Sequence, residues 1–248
     1  MPKPIALQLY SVREDLAKDF RGTLEKIAAI GFTGVETAGF PEGIFPQKAK
    51  QIFDELGLTV VSAHSPLPLN DQQDQVLETM HTLACPHLVS PWMNPDLYKS
   101  PKTIQEVAET FNRVYAICAA NGLKFSIHNH DFEFQVGDGI PAIHILSKYL
   151  DPGITFELDT YWIHVAGQDP ARVVSEFGAR APLLHIKDGP GVRGEPMLAL
   201  GEGVVNIPAI VKAGGDHTEW LIVELDSCAT DMLEAVEKSY RYLSQVDR

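Results

Sequence analysis

Asn121-Gly-Leu-Lys-Phe-Ser-Ile-His128 is the stretch whose reading decides the fold. A glycine stands just past a helical pattern, an apolar residue follows, and a short strand-like run ends in a histidine. Glycine there takes the left-handed conformation that ends a helix and turns the chain into the next strand. The same grammar recurs at Gly31-Phe-Thr-Gly-Val-Glu36 and at Leu56-Gly-Leu-Thr-Val-Val-Ser-Ala-His64. Working outward, eight strand candidates fall at 5–10, 33–37, 58–64, 87–91, 123–128, 154–159, 183–187 and 220–225. Helical periodicity lies between them, as at 16–30, 102–120 and 230–244. Regular alternation of strand and helix predicts an α/β protein with a parallel sheet and helices outside. An eightfold count predicts closure into a single-domain (β/α)8 TIM barrel over residues 1–248. No GxGxxG or GxxxxGK(S/T) follows the first strand, so the usual open-sheet nucleotide signals are missing.

The formal net charge is −13, from 20 Lys and Arg against 33 Asp and Glu. A duplex nucleic-acid partner normally meets a basic stripe, and no Lys/Arg cluster occurs, so no nucleic acid is expected as partner. A small neutral or modestly charged molecule fits better. Cys85, Cys118 and Cys228 are unevenly spaced, with no CxxC pair, which predicts neither a disulfide framework nor a cysteine zinc site. The start runs directly into a strand pattern, and no apolar stretch is long enough for a membrane span. A cytoplasmic protein with no membrane partner is the expectation, and a homo-oligomer is compatible with it.

Strand side chains alternate, so residues two apart share a face. That groups Ser126, His128 and His130; Thr155, Glu157 and Asp159; His185 and Lys187; and Glu224 and Asp226. The opposite sets, Phe125/Ile127, Phe156/Leu158, Leu184/Ile186 and the Ile222/Val223 side, suit packing against helices. In a barrel the polar set faces the lumen, where buried polar groups are costly unless paired or metal-bound. In the first half, Gln8, Glu36 and His64 are the corresponding strand-end residues. Each alone reads equally as a hydrogen-bonded structural residue, and Glu157 as an anchor for Lys187. Jointly, His128, Asp159, His185 and Glu224 at four consecutive strand ends suit a mixed N/O site for a divalent metal (Mn, Zn, Co or Mg). His81, His87, His144, His164 and His217 fall on helix patterns or loops and read as structural. Trp92 and Trp162 follow strands and suit the apolar face of a sugar, and the Gly-rich stretch 188–203 reads as a lid with Arg193 as a clamp for an anion or hydroxyl.

Several motifs together resemble the sugar phosphate isomerase/epimerase family of the xylose-isomerase-like TIM-barrel superfamily. They are Gln8-Leu-Tyr-Ser-Val-Arg13, His128-Asn-His-Asp-Phe-Glu-Phe134, Glu157-Leu-Asp-Thr-Tyr-Trp162, His185-Ile-Lys-Asp188 and Gly201-Glu-Gly203. The resemblance covers essentially the whole chain and specifies no substrate. It implies that Asp159, His185 and Glu224 hold a divalent metal. Where the ketose epimerases of that superfamily carry a Glu as first ligand, this chain has His128, so the fourth ligand is His128 or Glu133. The same departure makes His130 and Glu133 candidates, beside Glu224, for moving the proton.

Such a site removes a proton from carbon beside a carbonyl and spreads the charge into an enediolate. Return of the proton to the other face gives epimerisation, and return to the adjacent carbon gives aldose–ketose isomerisation. Loss of a β-substituent gives elimination. Lys187 is placed to polarise the same oxygen or to neutralise Glu157. The expected activity is a metal-dependent sugar isomerase or epimerase with a small-molecule sugar substrate bound by Gln8, His64, Trp92, Trp162 and Arg193. A keto-sugar or cyclitol lyase on the same metal is the alternative. An endonuclease IV-like phosphodiesterase and a non-catalytic sugar-binding barrel are the remaining ones.

Overall fold

In the computed structural model, which describes residues 3–137 and 139–246, the eight expected strands are all present. The chain lays down β1 (Ile5–Gln8), β2 (Gly34–Thr37), β3 (Thr59–His64), β4 (His87–Ser90) and β5 (Lys124–His128) in order. A separate antiparallel hairpin, β6 (Val136–Gly137) with β7 (Ile140–Pro141), intervenes. The barrel resumes with β8 (Thr155–Asp159), β9 (Leu183–Ile186) and β10 (Trp220–Val223). Pairing of β10 with β1 closes an all-parallel barrel, a TIM barrel with its helices around the outside.

The helices are α1 (Arg13–Lys18), α2 (Phe20–Ile30), α3 (Pro46–Glu55), α4 (Gln73–Thr82), α5 (Pro101–Ala120), α6 (Ala142–Tyr149), α7 (Thr160–Val165), α8 (Pro170–Phe177), α9 (Ile207–Gly214) and α10 (Met232–Val246). The helical pattern at 16–30 is in fact two helices. Asp19 breaks it, because its carboxylate accepts the Gly22 N–H at 2.9 Å and so caps the start of α2. The turn glycines behave as expected: Gly31, Gly57 and Gly122 take φ of +120°, +69° and +71° just before β2, β3 and β5.

Two apolar layers result. Phe53, Phe111, Phe125, Phe156, Leu158 and Ile186 fill the space between barrel and helices. Inside the barrel, Ala6, Val61, Val89, Leu183 and Ile222 form a small plug beneath the polar residues. Ile222 belongs to that plug and not to the helix-facing set, because it shares strand parity with Glu224. The register between β2 and β3 shifts between Val35 and Glu36, which leaves Val61 without a partner on β2. Such a bulge re-aims the following residues. It lets Val61 join the inner plug while Ser62 and His64 still reach the polar lumen.

His87 also departs from its loop reading. It opens β4 inside the barrel, 2% exposed, with Nε2 at 2.7 Å from Ser126 Oγ. Burial pushes its pKa down to about 4 from 6.5. The unfolded chain therefore takes up this proton first as pH falls, and the stability present above the free value is lost as the folded value is approached. A His87→Gln variant should resist acid better than the parent. Urea unfolding at neutral pH and near pH 5 should show the parent losing about 2 kcal/mol more than the variant.

Candidate active site

Four successive strands of the closed barrel, β5, β8, β9 and β10, deliver His128, Asp159, His185 and Glu224 to one point. One donor atom from each lies within 4.8 Å of the other three, and all four residues are buried. Local structure aims each carboxylate. Asp159 is the N-cap of α7, with Oδ1 accepting the Trp162 N–H at 2.9 Å, so Oδ2 is left to face the lumen. Asn129 ties the end of β5 to this point, its Oδ1 accepting the Asp159 N–H at 2.9 Å. Asp159 Oδ2 makes no hydrogen bond among the described residues, although Lys187 Nζ approaches it at 2.9 Å as an ion pair.

Both imidazoles bridge two layers of acid. On the deep side, His128 Nδ1 lies 3.0 Å from Glu157 Oε2, and His185 Nε2 lies 2.7 Å from Glu36 Oε1. On the upper side, His128 Nε2 is 3.8 Å from Asp159 Oδ2 and His185 Nδ1 is 2.8 Å from Glu224 Oε2. His64 completes the deep layer, its Nε2 at 2.6 Å from Glu157 Oε2 and 3.2 Å from Glu36 Oε1. Gln8 and Ser62 donate to Glu36 from below. His64, His128, Glu157 and His185 thus make a second group with donor atoms within 4.8 Å of one another.

Lys187 sits above, 1% exposed. Its ammonium lies 2.9 Å from Asp159, 2.5 Å from Glu224 and 3.1 Å from Asp226. The register explains why it does not pair with Glu157. Glu157 lies beside Leu183 and Asp159 beside His185, so Lys187 stands one pleat above Asp159 and two above Glu157.

These contacts set the charges. Burial alone would drive the Lys187 proton off, but Asp159, Glu224 and Asp226 hold its pKa well above the ordinary value. Burial opposes ionisation of Glu224, yet Lys187 and His185 keep it well below the usual carboxylate range. Burial pushes Asp159 up to about 6 against the pull of Lys187 and His185. In the deep layer, burial and the charge of Glu157 push Glu36 up to about 7. Burial holds His128 well below its usual value, and burial plus Lys187 bring His130 down to about 4. Both are neutral at physiological pH, the form that donates a lone pair.

A cavity of about 700 Å³ opens above this cluster. His64, His128, His130, Trp92, Trp162, Lys187, Glu224 and Asp226 line it, as do Tyr10 and Leu67. Of the residues expected to touch a ligand, His64, Trp92 and Trp162 are therefore brought together. Gln8 lies under the site, fully buried against Glu36. Arg193 is drawn off sideways, because its guanidinium pairs with Asp131 and lies 5.4 Å from the Trp162 ring centre. Glu133 is buried outside the four-residue cluster, one oxygen accepting the His130 N–H at 2.9 Å. Burial pushes its pKa up to about 8. His130 lines the cavity, and its Nδ1 has no hydrogen-bond partner among the described residues.

The family model described as "Xylose isomerase-like TIM barrel" matches residues 24–245. The chain belongs to that family. A sugar phosphate isomerase/epimerase from Parabacteroides distasonis is similar in structure, with 26% identity and a TM-score of 0.82, covering 100% of this chain and 96% of that one. A D-allulose 3-epimerase from Methylomonas sp. shares the fold at 17% identity, TM-score 0.74, covering 99% of each chain. So does a probable 3-DHS dehydratase from Bacillus anthracis, at 14% identity and TM-score 0.74, covering 97% of this chain and 98% of that one. None of the curated proteins matches in sequence. No helix among the described residues is long and apolar enough to cross a membrane.

Within this xylose isomerase-like barrel, the residues that sequence reading underrates are the deep carboxylates. Glu157 bonds histidines, not Lys187, and Glu36 supports His185. Their strand-end parity was a usable signal, but depth in the lumen was not. Asp226, on the same face as Glu224, is the third counter-charge for Lys187. Removing one partner of a buried ion pair leaves uncompensated charge. Lys187→Met should therefore destabilise the protein by about 3–5 kcal/mol. Urea unfolding in chelator-treated buffer measures that loss.

Proposed function

We propose that the chain is a metal-dependent sugar isomerase or epimerase that moves a proton at the carbon beside a carbonyl. The observation that carries this reading is the convergence of His128, Asp159, His185 and Glu224 within 4.8 Å beneath a cavity that His130 also lines. The donor set fits a divalent ion. Two imidazole nitrogens and two carboxylate oxygens suit Mn²⁺, Zn²⁺, Co²⁺ or Mg²⁺, with His185, held protonated against burial by Glu157, Glu36 and Glu224, giving up its proton as the ion binds. Asp159 Oδ2 is a buried oxygen without a hydrogen bond, and His128 and His185 have their second ring nitrogens braced by Glu157 and Glu36. Carboxylates behind ligating histidines fix the ring and its tautomer. With Lys187 beside Asp159, Glu224 and Asp226, one divalent ion brings the upper layer close to neutrality.

A bound divalent ion supplies a Lewis acid toward a carbonyl and its neighbouring hydroxyl. The chain's own residues do the rest. His130, neutral and lining the cavity, takes the proton from carbon. Glu133 holds His130 in place through the backbone N–H. Lys187, held protonated, brings its positive charge close to the oxygen on which negative charge grows. Glu224 bridges the ligand group and the ammonium, and Trp92 and Trp162 offer apolar faces to the sugar. Elimination is the second reading, favoured by the same Lys187 charge at the cavity wall, which steadies a departing β-substituent electrostatically.

Elemental analysis of protein purified without chelator should find close to one Mn, Zn, Co or Mg per chain. Protein that is metal-free and also fails to bind added metal removes the reading. Glu157→Gln should weaken metal binding about 10–100-fold by calorimetry, because His128 loses its carboxylate brace.

Turnover has its own test. Incubation with a keto-sugar substrate in D₂O should place deuterium at the carbon beside the carbonyl, only with metal present. His130→Ala should lose that exchange, by about 10²–10⁴-fold, while keeping the metal. Exchange without loss of water supports isomerisation or epimerisation, and a deoxy or unsaturated product supports elimination. A substrate converted with its α-deuterium retained and no isotope effect on rate rules out proton transfer at that carbon.

A further inference from the structure

TIM barrels frequently hold a substrate phosphate on backbone N–H groups of the loops after the seventh and eighth strands. Here the seventh barrel strand is β9, and the segment after it gathers such N–H groups around an internal anion. Asp188, fully buried, accepts from Gly189 and Val205 through Oδ1 at 2.9 and 3.1 Å, and from Gly201 and Gly203 through Oδ2 at 2.9 and 3.1 Å. The enclosure is tight: a Cβ at position 203 would come 2.1 Å from Asp188 Oδ1 and 2.3 Å from the Gly189 nitrogen. A cradle of converging backbone N–H groups is an anion site, and this one is filled by the chain's own carboxylate.

Of the side-chain cations in this region, Lys187 and Arg193 already face carboxylates, and Arg13 is held by backbone carbonyls. Lys187 lines the cavity with three carboxylates around its ammonium. Arg13 donates to the Tyr10 carbonyl at 2.8 Å and the Asp226 carbonyl at 3.2 Å while lying over the Tyr10 ring. Arg193 pairs with Asp131. Even with a divalent ion offsetting the layer as a whole, the carboxylate oxygens of Glu224 and Asp226 line the cavity wall. A phosphate entering here would displace existing ion pairs and face carboxylates at short range, where like-charge contact is costly.

We infer that the substrate of this site is an uncharged sugar and that phosphorylated sugars are excluded. The inference rests on the reading that the cavity takes a sugar, and it adds what that sugar lacks. Hydroxyl groups suit the surroundings, since the carboxylates of Glu224 and Asp226 accept from them, while Trp92 and Trp162 take the C–H faces.

Calorimetry on the full chain tests this with D-fructose, D-tagatose, D-ribulose and D-xylulose, their monophosphate esters, and inorganic phosphate as an anion-only probe. Inorganic phosphate should give no saturable heat at millimolar concentration, and the esters should bind at least about tenfold more weakly than the free ketoses. Saturable phosphate binding that a ketose displaces, or an ester that binds as tightly as its parent sugar, overturns the inference. Asp188→Ala empties the internal cradle. Its melting temperature should fall and recover when formate, small enough for that tight cradle, is added, whereas the parent protein should respond to neither formate nor inorganic phosphate. A rise in the parent's melting temperature with millimolar phosphate also overturns the inference, and if the variant does not fold the calorimetry of the parent decides alone. A free ketose that binds and is converted with its α-deuterium retained and no isotope effect removes the proton-transfer reading and leaves this one standing. An ester that binds and exchanges does the reverse.

Discussion

The polar interior depends on two imidazoles that touch acid at both ring nitrogens. His128 spans Glu157 and Asp159, and His185 spans Glu36 and Glu224. A carboxylate carried this deep is expensive unless hydrogen-bonded or paired. Bridging lets five buried acids, Glu36, Glu157, Asp159, Glu224 and the partly buried Asp226, share three histidines and one lysine across a narrow lumen. The apolar plug of Ala6, Val61, Val89, Leu183 and Ile222 beneath them excludes water from the lower end, so the network has one open side. That side is the cavity.

Chemistry and stability are coupled at the same atoms. Lys187 neutralises the acids that would otherwise repel one another, and it is also the charged group presented to whatever enters. The deep layer holds the histidine rings so that their upper nitrogens face Asp159 and Glu224. The braces Glu157 and Glu36 are themselves mounted on barrel strands, so the deep layer fixes the orientation of both rings. The barrel supplies this because neighbouring parallel strands place equivalent residues at matched heights. Asp159 lies beside His185 and Glu157 beside His128 in the registered pairs.

How much could be read in advance differs by element. Eight strands were legible within one or two residues, since each is a short apolar run between helical patterns, and β2, β3 and β5 follow a turn glycine. The helix at 16–30 was not, because a single Asp19 with its side chain on Gly22 N–H ends one helix and starts another without disturbing apolar periodicity. The four-residue cluster His128, Asp159, His185 and Glu224 was legible from parity and spacing alone. Arg193 was not, because its reach is decided by Asp131 in a different loop. Glu133 shares that limit: its direction is set by the turn at 132–134, which brings the carboxylate back onto the His130 N–H.

By itself the sequence determined the alternating architecture, the closure count and which face of each strand is polar, because those follow from local conformational preference and a period of two. Tertiary structure alone decided how deep each polar residue sits. A bulge at Val61 keeps His64 in the lumen, and strand register, which no single strand encodes, puts Lys187 with Asp159 instead of Glu157. It also decided that Asp188 would turn from the strand end into its own loop and fill a cradle of N–H groups. Depth and partner are properties of pairs of segments distant in the chain, and only the closed barrel brings those segments together.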